Sequence, residues 1–232
     1  MEPDKGRYAA AVMDWRIQTF ELYAEVRRLA PTDPRDAHGL WVRRRNELFG
    51  THPASALNPA KQARFSGLPV APYDPDVRFE SDLGPEGAGE TMNVATGTDG
   101  TVPFERIGSF VIPGVGTLAA WRLRSYGGGI FLPFRDTTAG RGSYGAGRYL
   151  LDTVKGSYLG GTAGRFVLDF NFAYNPSCAY DEAWACPLPG PGNRLAAAIP
   201  AGELYAPELA DDDGGLGGGQ GADGGGGHGD ES

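Results

Sequence analysis

The chain has 232 residues, with 21 basic and 29 acidic side chains and a formal net charge of −8. Seven of the acidic residues and none of the basic ones fall within residues 206–232, which leaves 22 acidic against 21 basic residues in the body. Nucleic-acid binding needs a basic face. A near-neutral body therefore predicts that the protein has no nucleic-acid partner.

Membrane insertion and secretion are not expected either. No stretch approaches the roughly 20 apolar residues that a spanning helix needs. The N-terminus, MEPDKGRYAAAVMDWR, has acids where a secretory signal would have basic residues. We expect a cytoplasmic protein, whose two cysteines, Cys178 and Cys186, are then reduced thiols rather than a disulfide.

An arm of about two helices is predicted at the N-terminus. Apolar residues recur at spacings of three and four from Tyr8 to Leu29, which is typical of an amphipathic helix that ends before Pro31. Pro34 in a first helical turn favours a second helix to about Phe49. A basic run within it is interpreted as a solvated face, with a phosphate-binding patch as the alternative: Arg43, Arg44 and Arg45.

Short strands with close turns follow a proline-rich connector. β-branched and aromatic residues alternate between Gly and Pro punctuation, and the turn at residues 113–116 predicts an antiparallel hairpin. The predicted fold is mainly β, an antiparallel barrel or sandwich behind the helical arm. The predicted strands are residues 77–82, 92–96, 104–112, 117–126, 130–134, 148–152, 165–171 and 194–199.

Three regions are therefore expected: a helical arm over residues 1–60, a mainly β domain over 61–205, and a tail over 206–232. The sequence after Ala210 is DDDGGLGGGQGADGGGGHGDES, which has almost no apolar side chains. Such a segment does not offset the entropy of ordering. We predict that the tail is disordered.

Specific polar residues are densest between Phe131 and Glu203. Arg135 could clamp an anion with its planar fork of donors, and Asp136 either begins a turn, which we favour, or joins a site. Arg148, after a glycine-rich run that begins near Tyr144, could supply a second cation. That run leads into a strand and not a helix, which argues against a dinucleotide loop.

The carboxylates Asp169 and Glu203 are the candidate catalytic groups. Asp169 and Asn171 share one face of a predicted strand, where a carboxylate is costly unless paired. An internal Arg–Asp pair is the favoured interpretation, and a general base or cation ligand is the alternative. Glu203 follows the last predicted strand, where it could face Arg135 or Arg148.

Cys178 and Cys186 are separated by seven residues, which is not the close spacing of a zinc knuckle. Buried small side chains are the favoured interpretation. A metal site and a redox or nucleophilic thiol are the alternatives.

Three long motifs carry a resemblance: FLPFRDTTAGRGSYGAGRYL, LDFNFAYNPSCAYDEAWACPLP and NRLAAAIPAGE. They resemble an uncharacterised bacterial and archaeal domain-of-unknown-function family, number sixteen eighty-four, over roughly Phe65 to Glu203. The resemblance implies no reaction, cofactor or catalytic residue. The positions that match the family pattern are Arg135, Asp136, Tyr144, Gly147, Arg148, Asp169, Asn171, Asn175, Cys178, Tyr180, Cys186, Asn193 and Glu203.

The sequence does not identify a reaction or require a cofactor. We expect a pocket for a small polar or anionic molecule, with apolar walls and a few polar groups. The alternative is a non-catalytic structural or interaction module, in which the same residues form an internal network. The predicted ligand-binding residues are Arg135, Asp136, Tyr144, Arg148, Asn171, Asn175 and Asn193.

Overall fold

The structure is a computed structural model that describes residues 5–96, 100–125, 127–162, 165–181, 184 and 186–210. No helix in this part of the chain has the length and apolar character needed to cross a membrane. The predicted tail beyond residue 210 lies outside the described residues. Ala206 and Leu209 are buried against neighbouring residues, so the packed body reaches the end of the described chain.

Two long helices form the N-terminal arm, as predicted. α1 spans Lys5–Leu29 and α2 spans Pro34–Thr51, with a short α3 at Pro59–Gln62. The Asp33 side chain accepts a hydrogen bond from the Asp36 backbone N–H and so caps α2. Pro34 occupies the first turn, where its missing N–H costs nothing.

The described strands form one curled antiparallel sheet, a half-barrel, so the predicted mainly β class with a helical arm is confirmed. The path through the sheet is β6-β5-β4-β3-β1-β8-β7, and β2 pairs with β3. The strand bounds are β1 Arg78–Gly84, β2 Thr91–Thr96, β3 Gly100–Ile112, β4 Gly116–Leu123, β5 Ile130–Phe134, β6 Arg148–Asp152, β7 Gly161–Thr162 and β8 Arg165–Asp169.

Most predicted strands are present within a few residues, and the β3–β4 hairpin is confirmed. The predicted strand at 194–199 is wrong. This segment contributes one bridge, between Arg194 and Arg135, and Asp136 takes the Ile199 backbone N–H that a strand partner would have used. The predicted strand at 165–171 stops at Asp169, because that side chain caps a 3₁₀ turn over Phe170–Phe172.

The helices pack on one side of the sheet around Leu22, Val26 and Trp41, each at most 1% exposed. Phe172 meets Trp41 edge-to-face at a centroid distance of 5.5 Å, which joins the helical arm to the end of β8. The arm thus covers residues of the sheet that would otherwise face solvent. Any site built from both parts lies at this contact.

Candidate functional site

A buried ion pair joins the helical arm to the end of the β region. Nη2 of Arg45, on α2, lies 2.7 Å from Oε2 of Glu203, and Glu203 is fully buried. Arg45 is only 8% exposed, so the predicted solvated face is wrong for this residue. The prediction that Glu203 faces Arg135 or Arg148 is also corrected, because its carboxylate pairs with Arg45.

Aromatic rings surround the Arg45 guanidinium. Its central carbon lies 5.0 Å from the ring centre of Trp41 and 5.1 Å from those of Phe49 and Tyr174. A desolvated cation gains energy from such faces. The aromatic rings and Glu203 together hold the guanidinium in a desolvated position.

The backbone around Glu203 fixes its carboxylate. Gly202 has φ +73°, and an added Cβ would lie 2.6 Å from the Phe170 carbonyl oxygen, so only glycine fits. The Asn175 backbone N–H donates to Glu203 Oε2 at 3.2 Å. Burial raises the pKa of Glu203, while Arg45 and the Asn175 N–H act in the opposite direction.

A cavity opens beside this ion pair, between the arm and the sheet. The volume of this cavity is about 70 Å³. Trp15, Leu22, Leu48 and Phe49 supply apolar walls. The described lining residues that carry charge are Arg45 and Lys155, and the neutral polar ones are Thr19, Tyr23, Tyr149, Ser157, Tyr174, Asn175 and Ser177.

Several polar atoms of the lining residues have no protein partner. Within the described part of the chain, six buried side-chain polar atoms lack a hydrogen bond, and three of them belong to this lining: Arg45 Nε, Tyr174 Oη and Asn175 Oδ1. Ser157 lies near the Tyr174 hydroxyl, but not at hydrogen-bonding geometry. Burial raises the pKa of Tyr174 and of Tyr23, so both hydroxyls stay protonated.

Arg148 and Asp136 form a second buried pair, away from this cavity. Arg148 Nη2 lies 3.2 Å from Asp136 Oδ1, and both side chains are 1% exposed. The remaining Arg148 bonds go to the carbonyls of Ile199, Ala201 and Glu203. Asp136 also accepts bonds from its own turn, as the favoured interpretation predicted. These contacts bind the 199–203 segment to the sheet.

Arg135 and Asn193 make intramolecular contacts too. Arg135 Nε donates to the Gly145 carbonyl at 2.8 Å, and the side chain is half-buried. Asn193 is fully buried, and its amide donates to the carbonyls of Ala119 and Pro133, each at 2.8 Å. Its Oδ1 accepts from the Trp121 indole at 3.1 Å.

Asp169 pairs with Asn171 and not with an arginine, which corrects the predicted Arg–Asp pair. Asp169 Oδ1 accepts from the Asn171 backbone at 3.0 Å and from its amide at 2.7 Å. Burial raises the pKa of Asp169 to about 6. Asp169 also lines a second cleft, of about 410 Å³, together with Arg27, Arg78 and Arg165.

Tyr144 and the two cysteines lie close to one another. The Tyr144 hydroxyl donates to the Cys178 carbonyl at 3.3 Å. Both cysteines are unpaired thiols and half-buried. Across the described ranges, no group of three or more His, Cys, Asp or Glu side chains is placed to hold a metal ion.

A family model described as "Protein of unknown function (DUF1684)" matches residues 63–204. The chain belongs to the DUF1684 family. It is also similar to an uncharacterised protein from Haloarcula marismortui whose solution NMR structure is known. The two are 33% identical, the match covers 70% of this chain and 89% of that chain, and the TM-score is 0.52. No curated protein matches the sequence.

The residues around the cavity lie partly inside and partly outside the DUF1684 match. Glu203, Tyr174 and Asn175 lie inside the matched residues 63–204, whereas Arg45 and Tyr23 lie in the helices before them. Of the predicted site residues, Glu203 is itself half of the Arg45 pair, and Asn175 donates to its carboxylate.

Arg45 is the partner of Glu203 that sequence reasoning missed. Arg43, Arg44 and Arg45 are chemically alike, and local sequence does not tell a paired arginine from a solvated one. The helical spacing of the buried residues on α2 could have identified Arg45. Arg45 lies four residues after Trp41 and four before Phe49, which places it on the buried stripe.

Proposed function

We propose that the cavity beside Arg45 and Glu203 binds a small organic anion. The observation that carries the proposal is the set of three buried, unpartnered polar atoms on its lining residues Arg45, Tyr174 and Asn175. An unsatisfied buried polar group costs about 1–3 kcal/mol. A bound molecule that supplies partners for these groups recovers part of that cost.

The charge of the lining favours an anion. Arg45 and Lys155 line the cavity, and the Glu203 carboxylate engages only one edge of the Arg45 guanidinium, through Nη2. The Nε–H donor of Arg45 is therefore left for a second acceptor. A guanidinium commonly binds a carboxylate through two parallel donors, and its planar fork suits an additional carboxylate oxygen.

The size and the acceptor on Asn175 narrow the ligand class. A volume of about 70 Å³ suits roughly five non-hydrogen atoms. Asn175 Nδ2 donates to the Leu204 carbonyl at 2.9 Å, so Oδ1 is an acceptor in need of a donor. A short hydroxycarboxylate, which carries an acceptor carboxylate and a donor hydroxyl, fits both requirements.

The other predicted residues support a different role. Four of them are at most 5% exposed and form hydrogen bonds with neighbouring backbone and side-chain groups: Asp136, Arg148, Asn171 and Asn193. We infer that they form the internal network named above as the alternative. This network holds the 171–175 and 199–204 segments, on which Asn175 and Glu203 depend.

Isothermal titration with three matched compounds tests the binding proposal. Glycolate has both the carboxylate and the hydroxyl, acetate lacks the hydroxyl, and glycolamide lacks the negative charge. We expect affinity in that order, with at least about tenfold between glycolate and glycolamide. Equal affinities for all three, or no heat with any of them, would contradict the proposal.

Two tyrosine variants locate the site. Tyr174→Phe and Tyr180→Phe each remove a buried hydroxyl that has no hydrogen-bond partner among the described residues, and of the two only Tyr174 lines the cavity. Neither loses a protein hydrogen bond, so both should fold. Glycolate binding should weaken in Tyr174→Phe and stay unchanged in Tyr180→Phe. An equal effect of both would place binding elsewhere.

A further inference from the structure

Cys178 and Cys186 lie near enough for each side chain to shift the pKa of the other, although seven residues separate them in the sequence. Both are unpaired in the structure and half-buried. The two thiols have different surroundings, and this difference assigns them different chemical roles.

Cys178 is the cysteine that lies beside Tyr144. The Tyr144 hydroxyl is 3.3 Å from the Cys178 carbonyl oxygen and 3.8 Å from its sulfur. Cys178 is half-buried, as Cys186 is, but it is not among the described residues that line the cleft beside Cys186. It is placed to react with the sulfur next to it.

Cys186 lines a cleft of about 280 Å³ between α1 and the sheet, together with Arg16, Lys155 and Asp152. Phe104 and Phe131 contribute apolar walls to the same cleft. A small molecule that enters this cleft therefore meets the sulfur of Cys186.

The acidities of the two thiols agree with this placement. The hydrogen bond from Cys178 is the largest influence that lowers the pKa of Cys186, to about 6, and Lys155 adds to it. The same bond, followed by burial, raises the pKa of Cys178. Of the other charged groups on the cleft, Arg16 on α1 favours the thiolate, and Asp152 on β6 opposes it.

We propose that Cys178 and Cys186 form a reversible dithiol–disulfide pair that reacts with small-molecule disulfides entering this cleft. The proposal is independent of anion binding beside Arg45. A thiolate in a positive, partly open cleft, next to a second thiol outside that cleft, is the arrangement of an attacking and a resolving cysteine.

The reaction proceeds in two exchanges that balance in atoms and electrons. The Cys186 thiolate attacks one sulfur of the small disulfide, forms a mixed disulfide and expels one thiolate. Cys178 then loses its proton and attacks the Cys186 sulfur, which expels the second thiolate and closes the Cys178–Cys186 bond. The two cysteines lose two electrons in total, and the small disulfide is reduced to two thiols.

Glutathione disulfide is the probe for this reaction. The reduced full-length chain, which contains no other cysteine, should lose both free thiols and the mass of two hydrogens, and dithiothreitol should restore them. Cys178→Ser should accumulate a glutathione adduct on Cys186, because the resolving thiol is absent. Cys186→Ser should acquire an adduct far more slowly.

Alkylation by iodoacetamide at neutral pH supplies a second readout on the unchanged chain. Cys186 should react roughly tenfold or more faster than Cys178 in the folded protein. In urea the two rates should become equal, which serves as the matched control. Adducts on both cysteines without an internal disulfide, or equal folded-state rates, would overturn the proposal.

Discussion

Arg45 on helix α2 and Glu203 at the end of the β region form an ion pair of 2.7 Å, 158 positions apart in the chain. Glu203 is fully buried, so its carboxylate depends on this arginine and on Asn175. The helical arm is therefore part of the structure that holds the β region. It also completes the cavity for which we propose anion binding.

A double-mutant cycle should show strong coupling between Arg45 and Glu203. Arg45→Met or Glu203→Leu alone leaves a buried charge without its partner and should cost about 3–5 kcal/mol of unfolding free energy. The double variant should recover most of that loss. Urea unfolding measures all four proteins. Additive losses would show that the two residues act independently.

Tyr174→Phe should not destabilise the protein, although it alters a buried residue. The hydroxyl has no protein partner, so its removal relieves a desolvation cost of about 1 kcal/mol or leaves stability unchanged. Tyr180→Phe should behave in the same way. Thermal unfolding without added ligand measures both variants. A loss above about 1 kcal/mol in either would reveal a hydrogen bond to that hydroxyl.

Arg148→Met should destabilise the protein by about 3–5 kcal/mol. The change removes the ion pair with Asp136 and leaves the Ile199 and Ala201 carbonyls without this donor. Arg135→Gln is the matched control, because within the described ranges Arg135 makes one side-chain hydrogen bond, and it is only half-buried. That variant should lose about 1 kcal/mol. Urea unfolding measures both variants. If Arg148→Met and Arg135→Gln lost similar amounts of unfolding free energy, the structural role of Arg148 would be contradicted.

Asp169 should make stability depend on pH. Burial raises its pKa from 3.8 to about 6, so its stabilising contribution is complete below the unfolded value and is lost as pH rises through about 6. The free energy of unfolding of Asp169→Asn, relative to that of the wild type, should therefore increase by up to about 3 kcal/mol between pH 4 and pH 7. Other shifted carboxyls, Glu203 and Asp152, cancel in this difference. A constant difference across this range would contradict the raised pKa.

Much of the fold follows from local sequence signals. Strands β5 and β6 begin and end at the predicted residues, because turn residues bound their apolar runs. The 194–199 segment was predicted as a strand from its apolar residues, yet Asp136 takes the Ile199 backbone N–H. That interaction joins positions 63 residues apart, which local patterns do not encode.

The site was less predictable, because it depends on which charges meet across the fold. Glu203 was predicted to follow the last strand, and that position suggested Arg135 or Arg148 as its partner. The actual partner, Arg45, lies on a helix far away in the chain. Pairing between distant elements is set by packing of the arm on the sheet, so the sequence indicated the residue types but not the pair.

The Arg45 Nε–H resonance in a ¹H–¹⁵N NMR titration with glycolate tests the binding proposal most directly. This donor has no protein partner, whereas the exposed Arg43, two positions earlier on α2, supplies the internal control. We predict that the Arg45 signal moves and saturates as glycolate is added, while the Arg43 signal stays still. An Arg45 signal that does not move, or that drifts together with Arg43 without saturation, would contradict anion binding in this cavity.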